Sequence, residues 1–234
     1  ISFERGNILK SIGINMNLAP VVEYITDSNS FMYKRVFLGS KEEIAQKAKY
    51  SINGYVDSST IPVIKHYPGH SNNSPDSHYY LPSVDITNEG WDEYIYPFKY
   101  LITTQDIDAV MVGHILFPNI DSKVSTISST ILTQKLRDEL GFKGVVISDD
   151  MEMKAIKNQG EMTQLSREAL LAGVDILILS KESEEQKQVY EYIYNSFLNG
   201  DISVDILDEK VERILKLKSK YNMLNSITPV LSQE

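Results

Sequence analysis

The feature that most restricts the fold is an alternation: apolar runs that end on polar or charged residues, separated by stretches with helical spacing. The runs are Gly13-Ile14-Asn15-Met16-Asn17-Leu18-Ala19-Pro20, Ile61 to His66, Ile107 to His114, Gly144 to Asp150 and Val174 to Leu179. No hairpin signal joins consecutive runs. Strands that alternate with crossover helices build a parallel sheet, either a (β/α) barrel or an open doubly wound sheet. Both architectures carry their sites at the carboxyl ends of the strands. The polar residues obey that rule: Arg35 lies beyond the first strand, Lys65 and His66 end the second, His114 ends the third, and Asp149 and Asp150 end the fourth. These positions are expected to converge on one pocket.

The helices have their own signals. Ser40 and Glu43 form a capping box that opens a helix over about 41–54, with Ile44, Ala48, Ile52 and Tyr55 on one face. A second helix spans Trp91 to Thr103, with a kink or break near Pro97. A third runs from Ile131 to Leu140 and stops at Gly141. Another covers about 162–172, and Ser183 opens a further one in which Val189, Ile193 and Phe197 share a face. The last, Val204 to Lys220, is expected to turn Leu207, Val211, Ile214 and Leu215 inward. Ile1 to Gly6 reads as the middle of a helix, so upstream sequence is expected to be missing.

Composition excludes some classes of function. A net charge of -9 with no clustered lysines argues against a nucleic-acid partner, whose phosphates need a dense cationic patch. The chain has no cysteine, hence neither a disulfide framework nor thiolate chemistry. No apolar run approaches the ~20 residues of a membrane span. Compartment and oligomeric state are left open.

Chemistry concentrates in Lys65-His66-Tyr67-Pro68-Gly69-His70-Ser71-Asn72-Asn73-Ser74-Pro75-Asp76-Ser77-His78, a strand end that runs into a polar loop. In an extended segment, residues two apart point the same way, so Asp76 can orient the His78 ring and raise its pKa, which suits a general acid/base. The bland alternative is a surface loop held by an Asx turn. His66 and His70 invite a metal reading, but Pro68-Gly69 breaks any helix between them and neither a third ligand nor an acidic partner stands at familiar spacing. Lys65 and His66 suit substrate hydroxyls better. Asp149 and Asp150 point in opposite directions along an extended chain, which favours one catalytic carboxylate and one structural partner. His114 is equally consistent with a satisfied core histidine.

Lys65-His66-Tyr67-Pro68-Gly69-His70, continued by Asp76-Ser77-His78 and Leu81-Pro82, resembles the signature of glycoside hydrolase family 3, specifically its bacterial β-N-acetylglucosaminidases. Similar matches run through Gly13-Ile14-Asn15, Ala19-Pro20, Arg35-Val36-Phe37, Met111 to His114, Gly141-Phe142-Lys143-Gly144 and Ser148-Asp149-Asp150-Met151. The resemblance implies a (β/α)8 TIM-type barrel that lacks its N-terminal strands in this chain, with residues 1–221 as the catalytic unit and 222–234 as a tail. It implies retaining hydrolysis of terminal β-linked N-acetylglucosamine, as in peptidoglycan fragments, without cofactor or metal. Asp149 would be the nucleophile, His78 with Asp76 the acid/base, and Arg35, Lys65 and His66 the sugar-hydroxyl ligands. A bacterial cytoplasmic and a secreted or lipoprotein-anchored protein both fit.

Two departures matter. Family members carry Gly-Asp-Thr where this chain has Ser71-Asn72-Asn73, and Ser tolerates positive φ poorly, so a changed loop path is expected. Five strands do not close an eight-stranded barrel, and a chain that began at Ile1 would expose a raw sheet edge. The competing readings are a non-catalytic sugar-binding relative, a β-glucosidase and a phosphorylase of the same family.

Overall fold

The computed structural model describes residues 1–181 and 184–224. Five strands, β1 (Met16–Asn17), β2 (Ile61–Tyr67), β3 (Ala109–Val112), β4 (Val145–Asp150) and β5 (Ile176–Ile178), form one parallel sheet in the order β1-β2-β3-β4-β5. The strands are the expected ones, with β2 reaching one residue further, to Tyr67, and the others trimmed at their ends. The sheet is α/β and curled, the half-barrel counterpart of the expected architecture.

Its two faces separate by residue parity, as strand geometry requires. Ile61, Val63, Ala109, Met111, Val145 and Ile147 pack with Leu217 into an inner cluster. Ile64, Val110, Val112 and Val146 turn the other way and pack against the helices. There the largest side chains lock edge to face, Tyr67 on Phe98 at 5.5 Å and Trp91 on Phe117 at 5.4 Å. Each such buried side chain contributes roughly 1.5–3 kcal/mol.

The helix α1 (Ser2–Ser11) precedes β1, and α2 (Lys41–Asp57), α3 (Asn88–Tyr94) and α4 (Tyr96–Thr104) fill the first two crossovers. The Ser40–Glu43 capping box opens α2 as expected, with both reciprocal hydrogen bonds made. The expected helix from Trp91 to Thr103 is two helices, broken at Ile95, with Pro97 in the first turn of α4. Thr130–Glu139 is helical as expected but wound as a π-helix, a difference of one residue in bond spacing that apolar periodicity does not resolve. The chain continues through α5 (Lys154–Lys157), α6 (Met162–Ala172), α7 (Glu184–Leu198) and α8 (Val204–Lys220). Ser183, expected to open α7, and most of the expected tail, 225–234, lie outside the described residues.

One expectation is corrected on α8. Leu207, Val211 and Leu215 are exposed, and the inward face is Lys210, Ile214 and Leu217. A charged residue takes the inward position because its stem packs while its ammonium donates to the Val174 carbonyl at 2.8 Å. An apolar count along the helix therefore selects the neighbouring stripe.

Candidate active site

Parity also aims the carboxylates. Asp149 continues the inner series Val145, Ile147, whereas Asp150 continues the outer one. The Asp150 carboxylate is accordingly taken up by protein: it accepts from the Glu152 N–H at 3.1 Å, the Ser180 N–H at 3.3 Å and the Ser180 hydroxyl at 2.6 Å. In Asp149 one oxygen accepts the Asp150 N–H at 2.8 Å, and the other stands 3.9 Å from His66 Nε2. One carboxylate is fixed and the other is left facing the cavity.

His66 has the parity of the outer face, yet it reaches the cavity because the pairing of β2 with β3 shifts register between Ile64 and Tyr67. Irregularities of this kind re-aim side chains at strand ends. The ring is then fixed by Glu23, a residue that no local pattern singles out. Glu23 Oε1 accepts from both the backbone N–H of His66 at 3.0 Å and its Nδ1 at 2.6 Å. Its Oε2 accepts from the backbone N–H of His70 at 2.8 Å and from His70 Nδ1 at 3.0 Å. No acidic partner stands near these histidines in sequence because Glu23 is separated from them by a whole crossover. Its only signal is a lone carboxylate inside the apolar stretch Val21-Val22-Glu23-Tyr24-Ile25.

Glu23, His66 and His70 are also the grouping with metal-ligand geometry among the described residues. The carboxylate accepts four N–H donors, two of them the ring Nδ1 atoms, whereas Nε2 of His70 is buried without a hydrogen-bond partner among the described residues. Burial tends to raise the Glu23 pKa, but the two histidines outweigh it and hold the carboxyl well below its usual range. Burial lowers the pKa of His66, against the pull of Glu23 and Asp149. A neutral His66 with its proton on Nδ1 leaves Nε2 as an acceptor, 3.5 Å from an Arg35 guanidinium nitrogen.

The remaining groups come from loops. Arg35, Lys65, His66, His70, Ser77, His78, Asp149 and Asp150, with apolar Leu18, Met111 and Ile178, line one cavity of about 200 Å³. The expected convergence therefore holds for Arg35, Lys65, His66, Asp149 and Asp150, and the His78 loop joins them. His114 does not line it. Fully buried, it sits between the Thr126 hydroxyl at 2.6 Å and the Asp150 carbonyl at 3.0 Å, which is the satisfied core histidine and supports the backbone behind Asp149.

Asp76 and His78 pair as their spacing suggests. Asp76 Oδ1 accepts from the His78 N–H at 3.0 Å and from its Nδ1 at 2.7 Å, leaving Nε2 to be presented outward. The side chains are about half exposed and a third exposed, 55% for His78 and 36% for Asp76. In this loop positive φ falls on Gly69, at 119°, and Ser71 is not among the left-handed residues.

The chain matches the model of the glycosyl hydrolase family 3 N terminal domain over residues 2–217. It belongs to glycosyl hydrolase family 3. Among curated family 3 relatives, a β-hexosaminidase of Shewanella frigidimarina is 33% identical over 176 residues, covering 75% of this chain and 51% of its own. One of Idiomarina loihiensis is 32% identical, covering 78% and 55%. A solved family 3 β-N-acetylglucosaminidase from Paenibacillus superposes with a TM-score of 0.90 at 31% identity, over 99% of this chain and 45% of that one. The chain thus spans about half the length of the curated relatives it matches.

Proposed function

We propose that the protein is a retaining β-N-acetylglucosaminidase that removes terminal β-linked N-acetylglucosamine, with peptidoglycan fragments as its substrates. The observation that carries this reading is the meeting of an unbonded carboxylate oxygen of Asp149 and the Asp76-oriented His78 at one cavity. β-Hexosaminidase relatives support the choice of sugar.

In the first step an Asp149 oxygen attacks the anomeric carbon, the bond to the leaving oxygen breaks, and that oxygen takes the proton from His78 Nε2. Asp76 orients the ring and stabilises its cationic form. In the second step water attacks the same carbon, gives its proton to His78 and releases Asp149. Lys65 and Arg35 donate to sugar hydroxyls, and Nε2 of neutral His66 accepts from one. A neutral imidazole in place of a second carboxylate reduces like-charge repulsion at the nucleophile.

Residues 1–221 are the catalytic unit in this reading, and the curled sheet is part of a (β/α)8 barrel, consistent with its sequential parallel order. The test is release of p-nitrophenol from the β-N-acetylglucosaminide, with the glucoside and a phosphate-supplemented reaction alongside. Wild-type turnover of the N-acetyl sugar that is lost in Asp149→Ala supports the proposal. Inactive wild-type protein, preference for the glucoside, or a glycosyl phosphate product would overturn it.

A further inference from the structure

The arm that bears His78 is tied down at few points. From Asn73 to Leu81, every hydrogen bond among the described residues stays within residues 71–80. Ser71 and Ser74 knot one end, with the Ser71 N–H donating to the Ser74 hydroxyl at 2.9 Å. Asp76 knots the other, its carbonyl accepting from the N–H groups of Tyr79 and Tyr80, both at 3.0 Å. On its C-terminal side the arm is anchored where the Leu116 N–H donates to the Pro82 carbonyl at 2.8 Å.

On its N-terminal side the last tie before this free span is Asn72. Its Oδ1 accepts from the backbone N–H of Thr26 at 2.7 Å and of Asp27 at 3.0 Å. Its Nδ2 donates to the Thr26 hydroxyl at 3.0 Å. One side chain therefore joins the loop of His78 to the loop between β1 and α2, which also supplies Glu23 and Arg35 to the site.

We propose that Asn72 is the positioning residue that sets where His78 stands over the cavity, by latching its arm to the loop that carries Glu23 and Arg35. The inference rests on the reading of His78 as acid/base given above. A latch of this kind acts on proton delivery and leaves attack by Asp149 untouched, because Asp149 is held by β4 and its own neighbours. Misplacing a catalytic group by about 1 Å costs on the order of 10²-fold in rate.

The test compares Asn72→Ala and Asn72→Asp with wild type in the full chain, on two N-acetylglucosaminides. A methylphenyl glycoside needs its leaving oxygen protonated; a dinitrophenyl glycoside does not. Asn72→Ala is expected to lose roughly 10- to 100-fold in kcat/KM, which reports the glycosylation step, on the first and less than about threefold on the second. Asn72→Asp, which keeps the acceptor for both backbone N–H groups, is expected to restore most of the loss. Amide hydrogen exchange across residues 73–81 should speed up in Asn72→Ala alone. Unchanged exchange there would overturn the latch whatever the activities, and equal losses on both glycosides would overturn its link to proton delivery. If wild type cleaved neither glycoside, the functional reading would fail and take the role of His78 with it, while exchange would still decide whether Asn72 holds the arm.

Discussion

Asp149 Oδ2 stands 3.9 Å from His66 Nε2, and the far nitrogen of that same ring is clamped by a buried glutamate. The separation is too long for a hydrogen bond, so that carboxylate oxygen is left unblocked towards the cavity while the other is held by the Asp150 N–H.

Removing that carboxylate should remove the reaction. Asp149→Ala is expected to lower kcat by roughly 10⁴-fold or more, the scale of losing a reacting group. Added azide should restore turnover and yield the α-glycosyl azide, detected by mass spectrometry, because the small anion fits the emptied position. Asp150→Ala should instead act on stability, through its ties to Glu152 and Ser180.

The pH profile should report Asp149. Burial would raise its pKa, but His66, His114, the Asp150 N–H and Lys65 outweigh it and hold it below the ordinary range. The ionised form reacts, so kcat/KM climbs with pH through this pKa and its acid limb lies below about pH 4. Lys65→Met removes one of the lowering charges, so the limb should move to higher pH. A limb at the same pH in both proteins would refute the coupling.

Asp76 should matter in proportion to the leaving group. Asp76→Ala frees the His78 ring and removes the partner of its cation, with an expected loss of roughly 10²-fold on poorly activated glycosides. On activated aryl glycosides kcat/KM should be nearly unchanged, because their leaving oxygens need no proton. Values of kcat/KM across a series of phenols would reveal the steeper dependence on leaving-group acidity.

Glu23→Gln should destabilise the fold by about 3 kcal/mol in urea titrations at neutral pH, since an amide N–H would face N–H donors in a buried site. The folded-state pKa of Glu23 is depressed, so its contribution is fully present above the unfolded value of about 4.3 and is lost as pH falls through the folded value. Wild type and variant should therefore converge in stability in strong acid and diverge above about pH 4.

Gly144→Ala probes the β3–β4 junction. A Cβ there would fall inside contact distance of the Asp108 carbonyl, and the Ile107 carbonyl lies on the same side. Both are backbone atoms, which have little room to yield, so a loss of about 1–3 kcal/mol is expected.

Much of this was legible from residue order. Ser40 with Glu43 marks the start of α2 because both capping bonds are local, and Asp149 and Asp150 announce a strand end because apolar runs stop at charge. Alternation along that strand already assigned the two carboxylates to opposite faces. What stayed hidden depends on contacts across the chain. Glu23 meets His66 and His70 only once β1 and β2 are paired, and Asn72 looks like a departure from the family pattern until Thr26 and Asp27 are beside it. On α8, Lys210 is buried by the carbonyl it finds on another element, which hydropathy along the helix cannot register.

The sequential strand order has a kinetic side. Each strand pairs with its neighbour in sequence, so every pairing closes a single crossover and no long search is required. The groups that line the cavity nevertheless come from separate rungs of this ladder: Arg35 after β1, Lys65 and His66 on β2, Asp149 on β4. The cavity thus exists only after three successive dockings, and a ligand that fills it should hold β1 to β4 together as one cooperative unit against unfolding.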